Sequence, residues 1–203
     1  LCYDKWGNSY KCQKYYKKME SLKIATADLL NQFIDADPDN KYVRTGAVSY
    51  NNKMQTPTPL AWGTSSVSTY VNALTSTGTT NSGEAFAEAY NSLTKTNPKT
   101  EEAIHRAHNG VENPSKYIVF MTDGANNVSG ADAKTKQFCD KARTAKIKVY
   151  SIAFMAPKEG QNLLKYCATT TSEYFAAEDT AALVAAFKLI GETAAKTLVR
   201  LTN

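Results

Sequence analysis

One segment constrains this chain more than any other: Tyr117-Ile118-Val119-Phe120-Met121, followed at once by Thr122-Asp123-Gly124-Ala125-Asn126-Asn127. An apolar run of that length, rich in β-branched and aromatic residues, predicts a parallel strand covered on both faces. The polar, glycine-containing stretch after it predicts an abrupt switch from strand to loop. Ligands of open α/β sheets sit beyond the carboxyl ends of such strands, near a topological switch point. Asp123 is therefore the first candidate functional residue.

The rest of the chain alternates between the helical and the strand period. Residues 14–34 place Met19, Leu22, Thr26, Leu29, Leu30 and Phe33 on one helical face. Asp35-Ala36-Asp37-Pro38-Asp39-Asn40 stops that helix. Residues 42–50 read as a strand and 55–60 as a short edge strand. Helices follow at 67–74 and, behind the capping run Thr77-Gly78-Thr79-Thr80-Asn81-Ser82, at 83–93. Residues 95–114 are polar, contain Pro98 and Pro114, and read as a surface loop with at most a short helical piece. Beyond Asn127 the pattern gives a helix at 131–146, a strand at 147–154, a short helix at 162–167, a short strand at Tyr174-Phe175 and an amphipathic helix at 180–197. Residues 1–13 show no clear period and read as a loop. The order predicts an α/β fold: a doubly wound, mostly parallel sheet with helices on both faces. The 203 residues suit one domain with one well-buried core, and no internal repeat is visible.

Bulk properties exclude several classes. No apolar run approaches 18 residues, so no segment has a spanning helix's length of hydrophobicity. No signal-peptide pattern is visible at Leu1, and a start at Leu1-Cys2-Tyr3-Asp4 is what a processed or partial product would show. Net charge is +5, but the lysines are scattered. The densest group, Lys11, Lys14, Lys17 and Lys18, reads as a solvated helix face and not as a nucleic-acid surface. No nucleophile elbow, phosphate loop or dinucleotide fingerprint occurs.

The four cysteines are Cys2, Cys12, Cys139 and Cys167. Their even number and spacing suit the pairs Cys2–Cys12 and Cys139–Cys167 in a secreted-type chain; the alternative is four free thiols in a reducing compartment. The absence of Cys-x-x-Cys argues against zinc. His105 and His108 have a spacing that reaches one metal, but no acidic motif accompanies them. Asn127-Val128-Ser129 matches a short glycosylation sequon. Trp6 and Trp62 are expected to be partly buried against the sheet.

This order of elements resembles the von Willebrand factor A fold, over about residues 14–197. In that family three loops meet at the carboxyl end of the sheet around a divalent cation, the metal-ion-dependent adhesion (MIDAS) site. The loop Gly78-Thr79-Thr80-Asn81-Ser82-Gly83 is similar to the second of these, with Thr80 as the matching ligand. Met121-Thr122-Asp123-Gly124 is similar to the third, with Asp123 as the matching carboxylate. The resemblance implies magnesium as the cofactor, a cation that keeps several waters and prefers hard oxygens in octahedral geometry. The first loop, Asp-x-Ser-x-Ser, occurs nowhere in the 203 residues. The family's first strand and that loop are therefore expected to be lacking from residues 1–203, leaving Thr80 and Asp123 as a weak pair.

Over about residues 135–203 the likeness narrows. Cys139, the strand 147–154, Leu163-Leu164-Lys165-Tyr166-Cys167-Ala168, Tyr174-Phe175 and Leu198-Val199-Arg200-Leu201-Thr202 follow the order seen in TadG-type proteins of tight-adherence (Flp) pilus assembly. That resemblance implies a Cys139–Cys167 pair and a terminal Leu-Arg-Leu-like strand. It also implies a non-enzymatic, extracytoplasmic protein-binding domain in pilus assembly or adhesion, in the periplasm or at the cell surface. Its partner would be a pilus or envelope protein, and any inner-membrane anchor would lie outside this chain. The competing class is a metal-dependent phosphotransfer or hydrolytic α/β enzyme built on Asp123. Such an enzyme needs more acidic residues near Asp123. Asp37 and Asp39 are expected at the wrong end of the sheet. A third reading is a structural domain with a vestigial metal site.

Overall fold

The computed structural model describes the backbone of Cys2–Tyr3, Ser9–Tyr10 and residues 17–202, and the side chains of 17–196. The elements in chain order are β1 (Cys2–Tyr3), β2 (Ser9–Tyr10), α1 (Lys18–Ala36), β3 (Arg44–Ala47), β4 (Thr58–Trp62), α2 (Ser65–Ala73), α3 (Gly83–Thr94), α4 (Glu101–Asn109), β5 (Tyr117–Thr122), α5 (Ala131–Thr144), β6 (Lys148–Phe154), α6 (Lys158–Cys167), β7 (Tyr174–Ala177) and α7 (Thr180–Thr202). A 3-10 turn, Thr171–Glu173, precedes β7.

The α/β expectation holds, with the sheet in separate pieces. Strands β5, β6 and β7 form a parallel sheet in that order. Strands β3 and β4 form an antiparallel hairpin that is not hydrogen-bonded to it, and β1 pairs with β2 as a third small ribbon. The ribbon corrects the reading of 1–13 as loop throughout. The expected Cys2–Cys12 pair and Trp6 lie outside the described residues.

Side chains of β6 alternate between two cores, as the two-residue period requires. Val149 and Ala153 face Phe86 of α3, Cys139 and Ala142 of α5, and Leu163 and Leu164 of α6. Tyr150, Ile152 and Phe154 face Ala25 and Leu29 of α1 and Leu183, Phe187 and Ile190 of α7. A smaller third core joins Leu30 to Val67 and Val71 of α2. Cys139 and Cys167 form a disulfide that ties α5 to α6, with Cα atoms 5.1 Å apart.

Several boundaries differ from the sequence reading for local reasons. β3 is only four residues long. Tyr42 and Val43 donate their amides to the Asp37 carboxylate at 2.8 and 2.7 Å, and Ser49 donates its amide to the Tyr70 hydroxyl at 2.9 Å. Those groups are thus withdrawn from strand pairing. The edge strand runs over Thr58–Trp62 and not over 55–60, because Gln55 turns its amide back to the Ser49 carbonyl. Residues 95–114 contain a full helix, α4. Thr100 accepts from the Ala103 amide at 3.2 Å to start it, and Gly110, at φ 81°, ends it in the left-handed conformation that glycine adopts freely. α6 begins four residues early, directly after Pro157. The Leu-Arg-Leu-like strand implied at 198–202 is instead the last turn of α7. Among the described residues no helix is long and apolar enough to cross a membrane.

Candidate functional site

The candidate site lies beyond the carboxyl end of β5, where three segments are held together by side chains. Thr122, the last residue of β5, is buried. Its hydroxyl accepts from the Gly124 amide at 3.3 Å and donates to the Gly124 carbonyl at 3.2 Å. This folds the chain into a tight turn whose apex is Asp123. The Asp123 side chain is 52% exposed.

The loop ahead of α3 is clasped to this turn by two asparagines. Asn127 donates its amide to the Thr80 carbonyl at 2.8 Å, and its side-chain oxygen accepts from the Thr80 amide at 3.0 Å. Asn126 accepts from the Ser82 amide at 2.8 Å and donates to Asp132 at 2.7 Å. Below them the hydroxyls of Ser82 and Thr135, both buried, are 2.9 Å apart. The Thr80 hydroxyl consequently stands over Gly124, where an added Cβ would come within 2.8 Å of Thr80 Oγ1. Any side chain at position 124 would have to push the Thr80 hydroxyl aside.

Two further residues reach the same place. Tyr50, beyond β3, donates its hydroxyl to the Met121 carbonyl at 2.6 Å and packs against Phe120. Burial, with the nearby Asp123 charge, pushes its phenol well above the usual tyrosine range, so it stays a proton donor. Lys18, the first residue of α1, places its ammonium nitrogen 3.3 Å from Asp123 Oδ2 and 3.4 Å from the Asp123 carbonyl oxygen.

Thr80, singled out from the sequence, thus stands against Gly124, the residue that follows Asp123. Asn126, Asn127, Tyr50 and Lys18 were not singled out for this place. The consecutive asparagines directly after Asp-Gly were a usable signal, since Asn side chains stabilise loops by bonding main chain. Nothing in the sequence linked Lys18 to Asp123, because periodicity puts it on an exposed helix face.

The donors can be weighed against a divalent cation. Magnesium takes about six oxygens in near-octahedral geometry. One hydroxyl and one carboxylate are the right kind of donor, but they are few, and the carboxylate already faces an ammonium. Among the described residues no group of three or more His, Cys, Asp or Glu converges on a point. The described residues therefore do not by themselves form a magnesium centre.

The other candidates belong elsewhere. Asp37 is buried and its carboxylate accepts from the amides of Lys41, Tyr42 and Val43, so it shapes the turn before β3. His105 and His108 are on a helix, not in a loop. The indole of Trp62 stands against both, 4.1 Å from the His108 ring in a stacked arrangement and 4.9 Å from His105 edge-on. Arg44 lies over the Trp62 ring at 5.0 Å and bonds Glu101 at 2.8 Å. Burial first, then the charges of Arg44 and His108, lower the His105 pKa to about 4. Glu102 pairs with Lys116 at 2.6 Å, which puts this cluster at the amino end of β5, opposite Asp123.

Comparison with known proteins agrees with this fold. A family model described as von Willebrand factor type A domain matches residues 13–189. No curated protein matches the chain. Among solved structures, the pilus adhesin SpaC from Lactobacillus rhamnosus GG is similar with a TM-score of 0.69 at 11% identity, over 96% of this chain and 29% of SpaC. The von Willebrand domain of the type V pili tip protein Mfa5 from Porphyromonas gingivalis gives 0.64 at 14% identity, over 85% of this chain and 87% of that one. Proximal thread matrix protein 1 from the mussel byssus, with a zinc-occupied MIDAS motif, gives 0.64 at 16% identity, over 87% and 43%. The chain therefore spans under a third of the SpaC adhesin, and these likenesses speak to the fold.

Proposed function

The chain belongs to the von Willebrand factor type A domain family, and from that membership we propose that it is a non-enzymatic protein-binding domain acting outside the cytoplasm, in adhesion or pilus assembly. The observation that carries this reading is the built but exposed turn at Thr122-Asp123-Gly124. Buried hydroxyls and two asparagines fix it in place, yet the Asp123 carboxylate, paired with Lys18, stays about half in solvent. Rigid support under an exposed charged tip, beyond the carboxyl end of a parallel sheet, is the arrangement of a contact surface.

Pilus proteins bearing the same fold support the adhesive reading. The narrower assignment, to TadG-type tight-adherence pilus assembly, rests on the order of sequence features from Cys139 to Thr202. The partner in this reading is a pilus or envelope protein at the cell surface or in the periplasm. Magnesium belongs to it only together with a loop of the Asp-x-Ser-x-Ser kind. In this reading a strand carrying that loop pairs with the edge of β5 away from β6. The β5 edge away from β6 has no strand partner among the described residues, and its Val119 is 36% exposed. The start of α1 already lies beside Asp123, where such a strand would end.

Among the described residues the enzymatic alternative finds no group of three or more His, Cys, Asp or Glu to support it. The test is Asp123→Ala in the full-length protein, produced at the native level in its own cells. Loss of piliation or adherence is expected. Unchanged adherence would contradict the reading, and so would phosphoester turnover that depends on Asp123.

A further inference from the structure

Helices α5 and α6 each bury one face, and each face links the candidate site to the Cys139–Cys167 bridge. On α6 the face is Gly160, Leu163, Leu164 and Cys167, at the i, i+3, i+4, i+7 spacing of one helix side. On α5 it is Ala131, Thr135, Cys139 and Ala142. The first turns of both helices meet the loops around Asp123. A Cβ added at Gly160 would collide with the Gly124 carbonyl oxygen and stand 3.1 Å from the carbonyl carbon. That obstacle is main chain, so it has no rotamer in which to swing aside. Thr135 of α5 meets the Ser82 hydroxyl at 2.9 Å, and Asp132 accepts from Asn126 at 2.7 Å. One helix thus supports the turn at Gly124, and the other supports the asparagine clasp.

We infer that α5 and α6 clamp the contact turn between them, and that the Cys139–Cys167 bridge is a positioning element of the candidate site. Gly160 has no side chain of its own to anchor it. Its place against Gly124 is set by the rest of its face: Leu163 and Leu164 in the core, and Cys167 in the bridge. Of these the bridge alone ties α6 covalently to α5, the helix that holds the other half of the site. Gly160 and Cys167 are two helical turns apart, so the bridge acts over about 10 Å. A close-packed interior carries a displacement over that distance. The clamp also accounts for a glycine inside a helix, a choice that costs about 0.5–1 kcal/mol relative to alanine. Both cysteines are only 1% exposed, so the bridge is a fixed strut out of reach of solvent. The consequence for binding rests on the reading of Asp123 as a contact residue; the clamp itself does not.

The test is amide hydrogen exchange, read by NMR on the native protein without denaturant. Wild type, Cys139→Ala/Cys167→Ala and Gly160→Ala are compared. The probes are the Thr80, Ser82 and Asn127 amides, which bond between the two loops of the site. The references are the Ala103 and Gly110 amides, which cap α4 at the other end of the sheet. Loss of the bridge is expected to speed exchange at the probes by about tenfold, the equivalent of one hydrogen bond, and to leave the references unchanged. Gly160→Ala is expected to do the same with the bridge intact. Equal acceleration of probes and references would assign the bridge a purely global role and overturn the inference. Unchanged probes in either variant would overturn the clamp. None of these results bears on the contact role of Asp123, which the adherence of Asp123→Ala decides separately.

Discussion

The two ends of the parallel sheet each hold an ion pair between distant segments, and the pairs are built differently. At the amino end Arg44 and Glu101 are 2.8 Å apart with side chains only 13% and 10% exposed, roofed by Trp62 and His105. At the carboxyl end Lys18 and Asp123 are 3.3 Å apart and about half in solvent. A buried pair has already lost its water, so removing one partner strands the other at high cost. An exposed pair keeps most of its hydration and is replaceable. The amino end is accordingly structural, and the pair at the carboxyl end contributes little to holding the fold.

The largest effect that sharpens this contrast is expected from Glu101→Ala. It leaves Arg44 buried and unpaired, and should lower unfolding stability by about 3–5 kcal/mol in urea titrations. A change below about 1 kcal/mol would erase the difference between the two ends. Next is the Cys139–Cys167 bridge, which also belongs to the amino end, since Thr169 just beyond it donates its amide to the Val149 carbonyl near the start of β6. It closes a loop of 28 residues. Its replacement by two alanines should cost about 3.5 kcal/mol, visible as a lower thermal midpoint.

Acid should weaken the amino end selectively. His105 titrates near its ordinary value of 6.5 when unfolded, and at about 4 in the folded protein. The unfolded chain therefore takes up the proton first. Stability is full above pH 6.5 and falls as the pH drops toward 4, by about 2–3 kcal/mol. Arg44, His108 and Lys116 oppose the imidazolium and Glu102 favours it. His105→Asn should flatten the stability profile over that pH window; a profile that keeps its slope would assign the acid loss to other groups. The smallest effect is expected from Lys18→Met, which should shift stability by less than about 0.5 kcal/mol and less still at high salt.

The contrast also explains what the sequence made legible. The run from Tyr117 to Met121 announced its strand and, with the turn behind it, Asp123, whereas Thr80 was named only by the resemblance of its loop to the family's second metal loop. Strand β3 was overestimated because the competitors for its amides, Asp37 and Tyr70, act through the fold. Helix α4 was missed at its full length because its apolar content is slight. Its cap at Thr100 and its stop at Gly110 were the signals available. The Trp62–His105–His108 cluster and the Lys18–Asp123 contact join segments far apart in sequence, and periodicity carries no information about such meetings. The break between β3 and β5 is likewise a property of pairing, visible only once each strand has its neighbours.

The most direct test of the division between the two ends is site-specific photocrosslinking in the full-length protein on cells. A photoreactive residue is placed in turn at the exposed positions Thr79 and Ser129, beside the candidate site, and at Arg106 and His108 on the amino-end helix. The account predicts an adduct to one envelope or pilus protein from Thr79 and Ser129, lost with Asp123→Ala, and none from Arg106 or His108. Adducts from the amino-end positions alone, or adducts indifferent to Asp123, would contradict it.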